Sequence, residues 1–172
     1  MSRRRVINLP GTTHKAPIPQ AVLVDNILYS SAVNGKGADG AYPDTAAAQA
    51  KLAFANMAEI VRLAGGTTDD IVRVTVFLRD RADKAVVDGE WLAMFPDPED
   101  RPARHAVGME RGGAALLQLE FVAVLRADRA AEDDGARHAD GAVHHGGAGH
   151  ADGAGHRGGA GHNGGAVQED RG

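Results

Sequence analysis

Up to Arg126 the chain alternates short β-branched or aliphatic runs with two longer stretches of helical spacing. Val6-Ile7-Asn8-Leu9 predicts a first strand, stopped by Pro10-Gly11. Pro17 and Pro19 hold the next segment extended. Ala21–Val24 and Ile27–Ser31 flank Asp25-Asn26, the signature of a tight hairpin. A glycine-rich loop runs from Asn34 to Pro43, after which Asp44 or Thr45 can cap a helix reaching about Ala64. Leu52, Ala53, Met57, Ile60, Val61 and Ala64 give that helix one apolar stripe, and Gly65-Gly66 supply its stop. Ile71–Leu78 predicts a strand whose inward face is Val72, Val74, Val76 and Leu78. A second helix is expected from roughly Asp83 to Phe95, ending at Pro96, with Trp91 and Phe95 in the core.

Two further strands, Pro102–Val107 and Leu117–Val124, flank the glycine turn Arg111-Gly112-Gly113-Ala114 and predict a hairpin. With the turn centred on Gly112, His105, Val107 and Met109 face Leu119, Leu117 and Ala115 on an apolar side. His105 is then a packing residue. Arg104 lands opposite Glu120 on the other face, and Ala106 opposite Gln118. Opposed side chains lie about 5 Å apart, so the two charges would be a cross-strand ion pair or two halves of one site. The whole reads as one α+β domain of order β-β-β-α-β-α-β-β, a single sheet with both helices on one face. The second face would carry Thr75, Phe77, Arg104, Ala106, Gln118, Glu120, Val122 and Val124. That mixture is too apolar to stay wet, which predicts a subunit interface.

Composition divides the chain into residues 1–126 and a tail, 127–172. The first part carries 15 Lys and Arg against 15 Asp and Glu. The net charge of −4 therefore belongs to the tail. A neutral body argues against a nucleic-acid footprint, and Arg3-Arg4-Arg5 is its only basic cluster. There is no cysteine for a disulfide or a thiol nucleophile, no membrane-length apolar run, and no signal-peptide core. These features predict a soluble cytoplasmic protein with no membrane partner. In the Gly/Ala/His-rich tail His144, His150, His156 and His162 recur every six residues. Such composition is expected not to order, and its imidazoles offer at most weak metal binding.

Four segments together resemble the RidA family (reactive intermediate deaminases, also YjgF or L-PSP proteins) over about residues 5–126. They are Pro17–Val22, Asp70–Leu78, Pro102–Val107 and Gln118–Ala123, in that order. The resemblance implies a chorismate-mutase-like homotrimer with ligand sites between subunits. It implies hydrolysis of short-lived 2-enamines and 2-imines, such as 2-aminoacrylate, to 2-keto acids and ammonia, without a cofactor. Arg104 would bind the substrate carboxylate, for which a planar guanidinium fork is suited. Glu120 would position or activate water.

The motifs also depart from the family. Ile18 stands where active members carry a pocket tyrosine, Ser31-Ala32-Val33 replaces a Ser-Gly-Gln motif, and Ala106 replaces a small thiol or threonine. Ile18, Ser31, Ala32 and Ala106 would line the substrate pocket beside Arg104, with fewer polar groups than usual. Three functions follow: a deaminase of small carboxylated enamines, a pathway-specific member acting on a larger amino-unsaturated acid, and a trimeric small-molecule binder without turnover.

Overall fold

The structure, a computed structural model, describes residues 3–10, 17–110 and 113–126. The tail histidines and the Arg111-Gly112 part of the proposed turn lie outside the described residues. The strands are β1 (Arg4–Ile7), β2 (Ala21–Val24), β3 (Ile27–Ser30), β4 (Val33–Asn34), β5 (Ile71–Leu78), β6 (Ala103–Gly108) and β7 (Leu117–Val124). Helix α1 (Ala46–Leu63) precedes β5, and α2 (Lys84–Met94) joins β5 to β6. The expected order holds, with the two-residue β4 added. All strands form one sheet in the order β1-β2-β3-β7-β5-β6, and β4 continues beside β7 beyond the end of β3.

Local chemistry explains the helix bounds. Thr45 Oγ1 accepts the Ala48 amide at 3.2 Å, which caps α1. Gly65 ends it at φ +93°, a conformation that costs a side chain strain, and the Gly66 amide returns to the Val61 carbonyl at 3.0 Å. Arg5 Nη2 donates to the Ala64 carbonyl at 2.5 Å, and Arg3 pairs with Asp25. Two members of the basic cluster therefore have local roles, one as a cation at a helix C-terminus. Phe54, Met57, Ile60 and Val61 of α1 are buried with Leu117, Leu119, Phe121 and Ala123 of β7 and Val74 and Val76 of β5. Truncating one such side chain to alanine costs roughly 2–5 kcal/mol.

The predicted hairpin between β6 and β7 does not exist. β5 lies between them, antiparallel to β7 and parallel to β6. Parallel neighbours need a long crossover, and residues 79–102 with α2 supply it. The link from β6 to β7 passes over the end of β5. The Met109 amide donates to the Leu78 carbonyl at 2.8 Å, and the Arg79 amide to that of Leu116 at 2.9 Å. The Arg79 guanidinium also donates to the Gly113 and Ala115 carbonyls. Buried Gln49 ties the same link to α1, donating to the Ala114 carbonyl at 2.9 Å and accepting the Leu116 amide at 2.8 Å. A side chain on Gly35 would collide with the Gln49 backbone, its Cβ falling 2.0 Å from the carbonyl oxygen.

The register reverses the facing of β6 from Arg104 to Val107. Arg104 pairs with Val74 and Ala106 with Val76, both buried beneath the helices, so Arg104 and Ala106 lie on the helix face. His105 pairs with half-buried Thr75 and is exposed on the open face, not packed. At the start of β5 a bulge between Ile71 and Arg73 puts Ile71 in the core and leaves Val72 46% exposed. The rest of the open face is as expected: Thr75, Phe77, Glu120, Val122 and Val124 share it with Tyr29 and Val22.

Candidate functional site

The predicted site residues form two groups. The first gathers on the helix face at the β6 edge. Arg104 Nη2 donates to Asp88 Oδ1 at 2.7 Å, and Lys84 Nζ donates to Asp88 Oδ2 at 2.6 Å. The Arg104 guanidinium carbon lies 4.8 Å from the centroid of Trp91. Lys84, Asp88 and Trp91 are spaced four and three apart on α2, so one side of that helix meets Arg104. Arg104 Nη1 is enclosed and has no hydrogen-bond partner among the described residues. Further along the same face Ala106 lines a cavity of about 200 Å³ with Leu78, Arg81, Lys84, Val107 and Gly108.

The second group surrounds Glu120 on the open face. Glu120 pairs with Thr75 and borders a depression of about 250 Å³ shared with Tyr29, Ser30, Arg73, Phe121 and Val122. Ser30 Oγ accepts the Phe121 amide at 2.7 Å, which sets the break between β3 and β4 beside Glu120. Ser31 and Ala32 occupy that break. Ser31 Oγ donates to the Pro19 carbonyl at 2.8 Å, which holds the Pro17–Gln20 segment there. Ile18, in that segment, is 50% exposed.

Arg104 and Glu120 are thus not neighbours. Their strands are two spacings apart, about 10 Å, and the side chains leave opposite faces of the sheet. The guanidinium that shares the depression with Glu120 is that of Arg73, not Arg104. Within one chain the expected pocket of Arg104, Ile18, Ser31, Ala32 and Ala106 is not assembled. Among the described residues no group of three or more His, Asp and Glu is placed to hold a metal ion.

The family profile described as Endoribonuclease L-PSP matches residues 13–124. The chain belongs to this family, the RidA/YjgF proteins. The 2-iminobutanoate/2-iminopropanoate deaminase of Escherichia coli K12 is 35% identical over 115 residues, covering 64% of this chain and 88% of that protein. Protein mmf1, mitochondrial, of Schizosaccharomyces pombe is 32% identical over 114 residues, or 64% of this chain and 67% of its own length. The crystal structure of RidA from an Antarctic Psychrobacter superposes with a TM-score of 0.65 at 27% identity, covering 70% of this chain and 99% of that one.

Two features of this RidA-family chain escape a reading of its sequence. Asp88 and Lys84 look like an ordinary surface pair four residues apart on a helix. Only the parallel placement of β6 beneath α2 turns Asp88 toward Arg104. Lys84, chiefly, and then Arg104 hold the Asp88 carboxyl below its usual range by hydrogen bonding, against the opposing effect of desolvation. Arg73 was legible as a strand residue, but its link to Glu120 depends on the bulge at Val72. Trp91 is buried as its spacing predicts, and it is also the surface on which Arg104 rests.

Proposed function

We propose that this protein hydrolyses small carboxylated 2-imines and 2-enamines to 2-keto acids and ammonia, at sites formed between copies in a homotrimer. The observation that carries this reading is the Arg104 guanidinium, stacked on Trp91 with one enclosed donor that none of the described residues satisfies. An unsatisfied buried donor costs roughly 1–3 kcal/mol, and a ligand carboxylate that draws the guanidinium away from Asp88 would remove that cost. The relatives named as imine deaminases support the reaction class.

The chemistry is balanced without a cofactor. An enamine first takes a proton at C3 to become the imine. Water then adds to C2, and the resulting carbinolamine expels ammonia as C2 becomes a carbonyl. Arg104 would hold the carboxylate next to C2. Glu120 would take the proton from water and return one to the leaving nitrogen. Because one chain sends these two side chains to opposite faces, Arg104 of one copy would face Glu120 of the next. Tyr29 and Val124, 46% and 40% exposed on the open face, are apolar surface that such an assembly would cover. The balanced charge of residues 1–126 gives no support to RNA as the substrate.

Ile18 favours a second reading, since it brings no hydroxyl to the pocket: a trimeric binder of carboxylates that does not turn them over. One assay separates the two. Freshly generated 2-aminoacrylate or 2-iminobutanoate should yield keto acid and ammonia faster with the protein than without it, and Glu120→Gln should remove the acceleration. Binding of the keto acid with no acceleration for either substrate would establish the binder. Turnover restricted to bulkier imino acids would mark a pathway-specific member.

A further inference from the structure

We propose that Asp88 is an internal competitor for the carboxylate site of Arg104, and that Lys84 is the partner to which Asp88 retires when a ligand arrives. The inference rests on the reading of Arg104 as the carboxylate anchor and adds what limits its affinity. Of the two terminal nitrogens of the guanidinium, Nη1 is enclosed without a partner among the described residues and Nη2 is held by Asp88 at 2.7 Å. A carboxylate gripped by both nitrogens sets a second anion beside Asp88 at Nη2, and the repulsion between the two carboxylates drives Asp88 off. The Asp88 carboxylate is already divided, one oxygen on Arg104 and the other on Lys84 at 2.6 Å. Losing Arg104 leaves it paired, so the exchange strands no charge. Asp88 and Arg104 are 35% and 22% exposed, so a small ligand reaches the pair from solvent.

The arrangement also selects among ligands. A carboxylate replaces Asp88 like for like, whereas a neutral ester or amide offers nothing that compensates for the broken ion pair. Asn at position 88 would retain the shape of the side chain and remove the competition.

Calorimetric titration of the full-length protein with 2-oxobutanoate, the keto acid that 2-iminobutanoate hydrolysis yields, tests this. Asp88→Asn should tighten binding about three- to tenfold, the size expected for a partly exposed charge-assisted pair. Tightening is a result that damage to the fold does not produce. Lys84→Ala should weaken binding about threefold, because Asp88 then leans wholly on Arg104. That loss should vanish when both substitutions are combined. Methyl 2-oxobutanoate should bind poorly to every variant. If Arg104→Lys abolishes binding but Asp88→Asn weakens it or leaves it unchanged, the competition is refuted while the anchor stands. A Lys84→Ala loss that persists beside Asp88→Asn refutes the exchange role. Undiminished binding by Arg104→Lys would remove the anchor, and this inference with it.

Discussion

The Arg104 and Glu120 regions of this sheet differ in how finished they are. Around Arg104 the immediate contacts are in place within one chain: Trp91 lies beneath the guanidinium, Asp88 holds one nitrogen, and a cavity of about 200 Å³ opens further along the face. Around Glu120 there is only an open depression on an uncovered sheet face. The first region is preorganised by a helix packed on an edge strand. The second depends on what covers the sheet. Under the proposed function the contrast means that Arg104 and Glu120 would meet only between copies, since β5 separates their strands and their side chains leave by opposite faces.

The largest expected effect comes from blocking that association without touching either group. Val124 is the last residue of β7 and lies on the open face, 40% exposed. Val124→Glu should sediment as a monomer with an unchanged circular dichroism spectrum, and should lose at least about 100-fold in turnover, because an unpaired charge buried in an interface costs several kcal/mol. A monomer with full activity would show that one copy suffices. Next in size is Arg104→Lys, which keeps the charge but not the fork. It should lower kcat/KM about 30- to 150-fold, corresponding to roughly 2–3 kcal/mol for a charge-assisted contact, with no change in Tm. A smaller effect is expected at the floor of the same region. Trp91→Phe preserves an aromatic surface of weaker attraction for a cation, and should raise KM about fivefold through the loss of about 1 kcal/mol. Equal KM values would make Trp91 a core residue only.

The smallest effect is one of pH. The Asp88 carboxyl titrates below its usual range in the folded protein, so its pairing stabilises the fold above the ordinary carboxylate pKa of about 3.9. That contribution disappears as pH falls through the lower folded value. Asp88→Asn should therefore be less stable than the parent by under about 1 kcal/mol at pH 7, as suits a partly exposed pair, with the gap closing below about pH 4. A gap that widens on acidification would contradict the assignment.

These two regions were unequally legible in the sequence. The capped helix α1, its glycine stop, the β2–β3 hairpin and the buried stripe could be read because each depends on neighbours in the chain. The neighbour of β6 could not. A glycine turn between two β runs looks the same whether the strands pair directly or a third strand slides between them. Strand β6, Ala103–Gly108, sits at an edge and lacks the alternation that fixes a facing, so the inversion of Arg104 and His105 followed from the mistaken partner. The sequence cue for the true neighbour is the long crossover through α2, the kind of connection that adjacent parallel strands need. The match of the chain to the RidA family, by contrast, rests on local motifs that survive any error in pairing.

Mixing two inactive variants tests the division of the site most directly. Arg104→Ala and Glu120→Gln should each be inactive alone. When the two are unfolded together and refolded at equal amounts, each interface combines an arginine from one copy with a glutamate from its neighbour. In a closed ring with random assembly, about a quarter of the sites then receive both intact residues, and about a quarter of the parent turnover should return. No recovery from a mixture shown to have exchanged subunits would mean that Arg104 and Glu120 act within one chain or not together at all.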